Sequence, residues 1–173
     1  MNEVMNTILT RRSTRAFTAQ PVEQDKLEQI VTAAQWAPSG MNRQNWHFVM
    51  LSNPERIQQL AGAVRDALDR AEGYNFYAPT AFLIIAADRD NRNSILDCSA
   101  ALENAMLAAH SLGVASCWIN QVRDATDDPA VRALLTEYGV PENYAVYAAA
   151  SLGYAEKEPE PHERAENTVT YVR

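Results

Sequence analysis

The sequence predicts an α+β fold, a sheet flanked by helices, on three observations. Phe82-Leu83-Ile84-Ile85-Ala86-Ala87 is a continuous apolar run of strand length, which reads as a strand buried on both faces. Helical and strand patterns succeed one another without the strict alternation of a βαβ protein. No GxGxxG or GxxxxGK[ST] sequence follows any strand, so neither a dinucleotide-binding βαβ unit nor a phosphate-binding P-loop is supported.

In chain order, Val4, Ile8 and Leu9 share one helical face, and the first helix should run to Arg11 or Arg12. Leu27, Ile30, Val31 and Ala34 signal a second helix, stopped by Pro38. Trp46 to Leu51 reads as a strand. Asn53-Pro54 is a cap followed by proline at the first helical position, and Ile57, Leu60, Ala61, Val64 and Leu68 then face the core. After the apolar strand, Ser94 to Leu112 is a long helix rich in alanine, closed by Gly113. Its small residues suit a central core helix or a subunit-pairing helix. Ser116 to Val122 should be a strand or extended segment, Asp128-Pro129 opens a helix ended by Gly139, and Tyr144 to Leu152 is the last strand.

Residues 154–173 have only Tyr154, Val169, Tyr171 and Val172 to bury. Such an arm lies on its own subunit, stays loose, or embraces a partner. With no internal repeat or linker, residues 1–173 read as a single domain carrying residues 154–173 as a C-terminal arm.

A net charge of -7 opposes nucleic-acid binding and docking on anionic lipid. No apolar run approaches the ~20 residues that span a bilayer. The amino terminus has no signal-peptide blocks, so a soluble, cytoplasmic protein is expected. Cys98 and Cys117 form neither a CxxC pair nor a zinc spacing, and read as buried small residues.

Against that acidic background, Arg11-Arg12-Ser13-Thr14-Arg15 gathers three guanidinium groups and two hydroxyls. Guanidinium forks suit phosphate oxygens, so the segment reads as an anion site, with helix-end cations as the simpler alternative. Ala37-Pro38-Ser39-Gly40-Met41-Asn42-Arg43-Gln44-Asn45-Trp46 places neutral hydrogen-bonding side chains in a loop before a buried strand. They suit a polar uncharged ligand, or cap the loop's own backbone. His47 and His110 read as structural, Glu103 as a buried interface partner or a solvated residue, and Met41 as a ligand contact or gap filler. No Ser-His-Asp set or carboxylate pair emerges from the spacing.

Together these two segments closely resemble the nitroreductase family of FMN-dependent oxidoreductases. The resemblance continues through Gly113-Val114-Ala115-Ser116-Cys117-Trp118-Ile119 and Leu152-Gly153-Tyr154 to a late Arg164. It implies a nitroreductase-like mixed sheet in an intertwined homodimer, with FMN at the interface contacted by both chains. It also implies NAD(P)H as hydride donor and a small-molecule acceptor: a quinone, nitroaromatic or activated alkene reached by a ping-pong sequence. Alternatives are a dedicated single-substrate dehydrogenase, reductase or dehalogenase on the same fold, a flavin-binding module with a regulatory or storage role, and a dimer that has lost FMN.

The resemblance carries over residue by residue. Arg11, Arg12 and Ser13 fall in the phosphate and ribityl segment, with Arg12 better suited to the helix end. Arg15 matches a basic position at the pyrimidine side of the ring, where reduced flavin gathers negative charge. Pro38, Ser39, Asn42 and Gln44 belong to the segment reaching the flavin from the other subunit. Ile119, Asn120 and Gln121 match the stretch along the ring, and Arg164 a tail arginine closing on the phosphate. No side-chain nucleophile is required, since flavin N5 carries the chemistry. Gln121 stands where many members have glycine, and His162 where a lysine is common, which makes phosphate binding weaker or pH-dependent. Asn75 is a further candidate near the flavin. The chain is short for the family, lacking a long excursion that often roofs the substrate pocket.

Overall fold

A computed structural model describes residues 2–157, 159–161 and 163–173. The His162 expectation lies outside the described residues. Four strands form one sheet in the order β1-β2-β4-β3: β1 Trp46–Leu51, β2 Ala81–Asp88, β3 Ala115–Trp118 and β4 Tyr144–Gly153. All three pairings are antiparallel. The sheet is mixed only through an isolated parallel bridge between Ser13 and Ser116.

The helices are α1 Glu3–Thr10, α2 Gln24–Gln35, α3 Pro54–Ala67, α4 Ser94–Ser111, a short α5 Gln121–Asp124 and α6 Pro129–Glu137. Alternation along β2 explains its unbroken apolar run. Leu83, Ile85 and Ala87 pack with α2 and α4 on one face, while Phe82, Ile84 and Ala86 pack with α3 and α6 on the other. An antiparallel strand thus reads as continuously apolar because both faces are covered. A bulge in the β2–β4 register between Ile85 and Ala86 takes up Tyr147, so Ala148 stays on the face of Ile85 and Val146 on the face of Ala86.

Local chemistry sets the helix ends. Asn53 Oδ1 accepts the N–H groups of Glu55 and Arg56, with Pro54 beginning α3. Asp128 caps α6 in the same manner ahead of Pro129. Gly113 and Gly139 take the left-handed conformation that stops α4 and α6, at φ 75° and 93°. The alanine-rich α4 is the core helix, with Ala101, Leu102, Ala105 and Ala109 buried against the sheet.

The apolar face of α1 does not enter this subunit's core: α1 has no buried residue, and Val4, Met5, Ile8 and Leu9 are all at least 44% exposed. One expectation is corrected. The extended run predicted for 116–122 ends at Trp118, and Gln121 begins a helical turn. Ile119 makes a last ladder bond, donating its N–H to the Ala149 carbonyl at 2.8 Å, before the chain turns into α5.

Candidate functional site

The segment after α1 is stitched along the free edge of β3. Thr14 donates its N–H to the Ser116 carbonyl at 2.9 Å, and Thr18 donates to the Tyr154 carbonyl at 2.8 Å. Ala16 in turn accepts the N–H of Glu156 at 3.1 Å, so the basic cluster and the root of the C-terminal arm are paired backbone to backbone. Gly153 makes this pairing close, since a Cβ there would lie 2.9 Å from Phe17 Cδ1.

Beside the cluster lies a cavity of about 420 Å³ whose wall includes Arg11, Arg12, Thr14, His110 and Ser116. Two of its polar atoms, Arg12 Nε and Ser116 Oγ, are buried without a hydrogen-bond partner among the described residues. Ser116 is only 2% exposed. Buried donors of this kind are costly unless something fills them. A phosphate would: it offers several acceptors to two guanidinium groups and a hydroxyl.

The neighbouring cleft, about 520 Å³, is lined by Ser13, Thr14, Arg15 and arm residues Lys157, Pro159 and Glu160. The two spaces share Thr14 and Pro159, so an elongated molecule with an anionic end fits this edge.

Arg11 is half-buried, with its Nε 3.9 Å from Glu103 Oε1, a loose contact across which it can turn to another anion. Arg12 Nη1 donates to the carbonyls of Leu9 and Arg11 at 2.7 and 2.8 Å, so this guanidinium terminates α1. Arg15 is exposed, and its charge reaches the buried Cys117 thiol, which burial pushes up and Arg15 and Arg11 pull down.

Thr10 Oγ1 gives its proton to the Asn6 carbonyl and meets His110 Nε2 at 2.8 Å. The imidazole must then be the donor in that contact. Desolvation first, then Arg11 and Arg12, hold His110 below its ordinary pKa.

The second segment sits elsewhere. The Pro38–Gln44 loop is tied to the amino end of α4, where Gly40 donates its N–H to Asp97 Oδ1 at 2.9 Å. Ser39 Oγ accepts the Gln44 N–H at 3.1 Å, and Gln44 Nε2 donates to Asn42 Oδ1 at 2.9 Å. Met41, Asn42 and Gln44 all adopt left-handed φ, between 52° and 57°. Strain of this kind persists only where surroundings enforce it, and it holds Pro38, Asn42 and Gln44 exposed.

Of the remaining candidates, Ile119 has its side chain 2% exposed in the core with Val122 and Val131, and its N–H is bonded to the Ala149 carbonyl. Asn120 is exposed and accepts from Trp118 Nε1 at 2.9 Å. Gln121 begins α5, whose first-turn N–H groups lack intrahelical partners. Arg164 is exposed on the arm and lines neither of the two spaces beside the basic cluster. Asn75 starts a turn in which Phe76, Tyr77 and Ala78 are all left-handed, secured by Ser151 Oγ donating to the Phe76 carbonyl at 2.7 Å. Glu103 proves to be the partner of Arg11, with a side chain 48% exposed.

Ser116 and Asp97 were missed by sequence reasoning. Ser116 stands inside a stretch that reads as a strand, and Asp97 inside a long helix; their roles depend on contacts with distant Thr14 and Gly40. Among the described residues no cluster of His, Cys, Asp or Glu could hold a metal, and no helix is long and apolar enough to cross a membrane.

Comparison with known proteins agrees with this geometry. The nitroreductase family model matches residues 8–154. An Archaeoglobus fulgidus protein, provisionally named NADH dehydrogenase/NAD(P)H nitroreductase, is 33% identical over 170 residues, 94% of this chain and 91% of that protein. The Bacillus subtilis FMN reductase [NAD(P)H] is 29% identical across 99% of this chain and 76% of its own length. Among solved structures, a Bacteroides fragilis nitroreductase with bound FMN superposes with TM-score 0.95 at 36% identity, each chain fully covered. Edge segment, strained loop and sheet all fall within the matched region, and the chain belongs to the nitroreductase family.

Proposed function

We propose that this protein is an FMN-dependent NAD(P)H oxidoreductase working as a homodimer. The observation that carries the reading is the pair of buried, unpaired donors, Arg12 Nε and Ser116 Oγ, in a cavity beside Arg11. Together with relatives named as FMN reductases and FMN-bound neighbours, it points to the phosphate end of FMN. When bound, FMN supplies a redox centre that takes hydride at N5 from NAD(P)H and passes it to a quinone, nitroaromatic or activated alkene in a ping-pong sequence.

The chain's own residues bind and orient. Arg11 neutralises the phosphate and Ser13 contacts the ribityl end, while Arg12 contributes Nε and keeps its main role at the end of α1. Arg15, exposed in the adjoining cleft, places a fixed cation beside the pyrimidine edge and favours negative charge there. Asn120 and Gln121 border the ring. Beyond its root on its own chain at Tyr154 and Glu156, the arm reaches toward the second copy and brings Arg164 toward the phosphate.

Two observations support the dimer. The α1 face carrying Val4, Met5, Ile8 and Leu9 has no cover within one subunit. Within one copy, the basic cluster sits at the β3 edge and the Pro38–Gln44 loop enters β1 at the opposite edge. Pro38, Ser39, Asn42 and Gln44 therefore serve the flavin of the other copy.

Purified protein should be yellow, bleach anaerobically with NADH or NADPH, and recover colour with menadione or nitrofurazone. Bound flavin that neither nucleotide bleaches would overturn the reading.

A further inference from the structure

At the amino end of α4, remote from the basic cluster, lies a second polar cleft of about 360 Å³. Met41, Arg43, Asp90, Asn91, Arg92 and Asn93 line it. Asn91 is 8% exposed, and its Oδ1 accepts the Asn93 N–H at 3.1 Å, which fixes how the carboxamide is turned. Its Nδ2 is then a buried donor with no acceptor among the described residues.

Three further features have the same sign. Arg43 and Arg92 are exposed and make no ion pair among the described residues, whereas six other ion pairs do form. α4 is 18 residues long and its N-cap residue, Asn93, makes no side-chain capping bond. Ile95 and Leu96, in its first turn, therefore present N–H groups without intrahelical partners, at the positive end of the helix dipole. Asp90 is the single carboxylate on the wall, against two guanidinium groups.

We propose that this cleft docks a phosphate group of the nicotinamide dinucleotide. The proposal rests on the oxidoreductase reading above. The phosphate of FMN is assigned to the other end of α4, so a second anion site needs a second anion. Met41 joins the cleft to the loop that serves the flavin, which places the cleft within reach of a dinucleotide whose nicotinamide lies on the ring. Its open, doubly cationic wall suits the part of the dinucleotide that projects away from the chemistry. Two guanidinium forks and a carboxamide N–H match phosphate oxygens better than they match a carboxylate.

The test uses FMN-loaded protein and the variants Arg43→Ala, Arg92→Ala and Asp90→Asn. Steady-state rates are measured with NADPH and NADH, and adenosine 2′,5′-bisphosphate is titrated calorimetrically as a non-reacting probe. Each arginine variant should raise KM for NADPH about tenfold with kcat little changed, as loss of uniform binding requires. Asp90→Asn should lower it, and the bisphosphate Kd should move in step. A rise confined to NADPH assigns the 2′-phosphate, and an equal rise with NADH assigns the pyrophosphate.

Unchanged KM for both nucleotides, with an unchanged bisphosphate Kd in all three variants, overturns the proposal. Failure of both nucleotides to reduce the wild-type flavin would instead sink the oxidoreductase reading, and the bisphosphate titration would still report on the cleft.

Discussion

Asp97 and His110 stand thirteen residues apart on α4, and each holds one of the two motif segments. At 1.5 Å rise per residue this separates them by about 20 Å. Asp97 anchors the strained loop through the Gly40 N–H, and His110 anchors the end of α1 through Thr10. One helix is thus a ruler that keeps the two halves of the proposed site apart within a subunit. A second copy is what can present the loop of one chain to the cluster of the other.

The Asp97 anchor gives the first prediction. Asp97→Ala leaves a part-buried N–H without its acceptor and should cost about 1 kcal/mol in urea unfolding. With three left-handed residues released, FMN affinity should also fall, although the variant is far from the phosphate cavity in its own chain. Flavin fluorescence titration reads this directly. Undiminished affinity would show that the loop takes no part in holding the cofactor.

Arg11→Ala should release FMN while the dimer stays folded, since the side chain's one ion pair among the described residues is the loose contact with Glu103. Loss of a charge-assisted phosphate bond predicts at least a tenfold weaker Kd. Size-exclusion chromatography with absorbance at the flavin bands separates loss of cofactor from loss of fold. A yellow, wild-type-like dimer would return Arg11 to a helix-end role.

His110 should titrate below its ordinary value in the flavin-free protein, because desolvation and then Arg11 and Arg12 disfavour its charged form. The folded state therefore binds fewer protons than the unfolded chain at mildly acidic pH. The contribution of His110 to stability is complete above the unfolded value and is lost as pH falls through the lower folded value. A phosphate in the cavity would oppose the two arginines and raise the imidazole pKa. Ring-proton NMR with and without FMN tests both signs, and a midpoint that FMN leaves unmoved would place the phosphate elsewhere.

Much of this was legible in the sequence because local chemistry decides it. Asn53-Pro54 and Asp128-Pro129 specify helix starts, Gly113 and Gly139 specify stops, and the 82–87 run specifies a strand covered on both faces. What stayed hidden depends on contacts between distant residues. Nothing local reveals that β2 pairs with β4 across some sixty residues, that Asp97 reaches Gly40, or that Ser116 Oγ is left unpaired. The sheet order is also non-local, and it alone shows the two motif segments to lie on opposite edges.

The arm is rooted where the cluster ends. Tyr154 OH accepts from Lys26 Nζ at 2.8 Å and donates to Glu23, and the Lys26 ammonium lies 5.2 Å from the Tyr154 ring centroid. Glu23 is held below its ordinary pKa first by the Tyr154 hydrogen bond. Truncation before Pro159 spares this root and removes Arg164. FMN affinity should then drop several-fold with little change in melting temperature. Full retention of FMN would refute closure of the arm over the phosphate.

Ile119 sets membership of a motif against burial in the core. It stands in the stretch matched to the flavin ring, yet its side chain is in the core and its N–H is bonded to Ala149. Ile119→Ala should therefore act through packing, costing about 2–5 kcal/mol as a buried large-to-small change. Neighbouring Gln121, at the start of α5, is half-buried and outside that core cluster. Gln121→Gly should leave the core intact and shift the flavin spectrum or potential instead. Equilibrium unfolding together with a flavin potential measurement sorts the two: stability moves with Ile119, and the flavin signal moves with Gln121. A large spectral change in Ile119→Ala at unchanged stability would reverse the assignment and put the side chain against the ring.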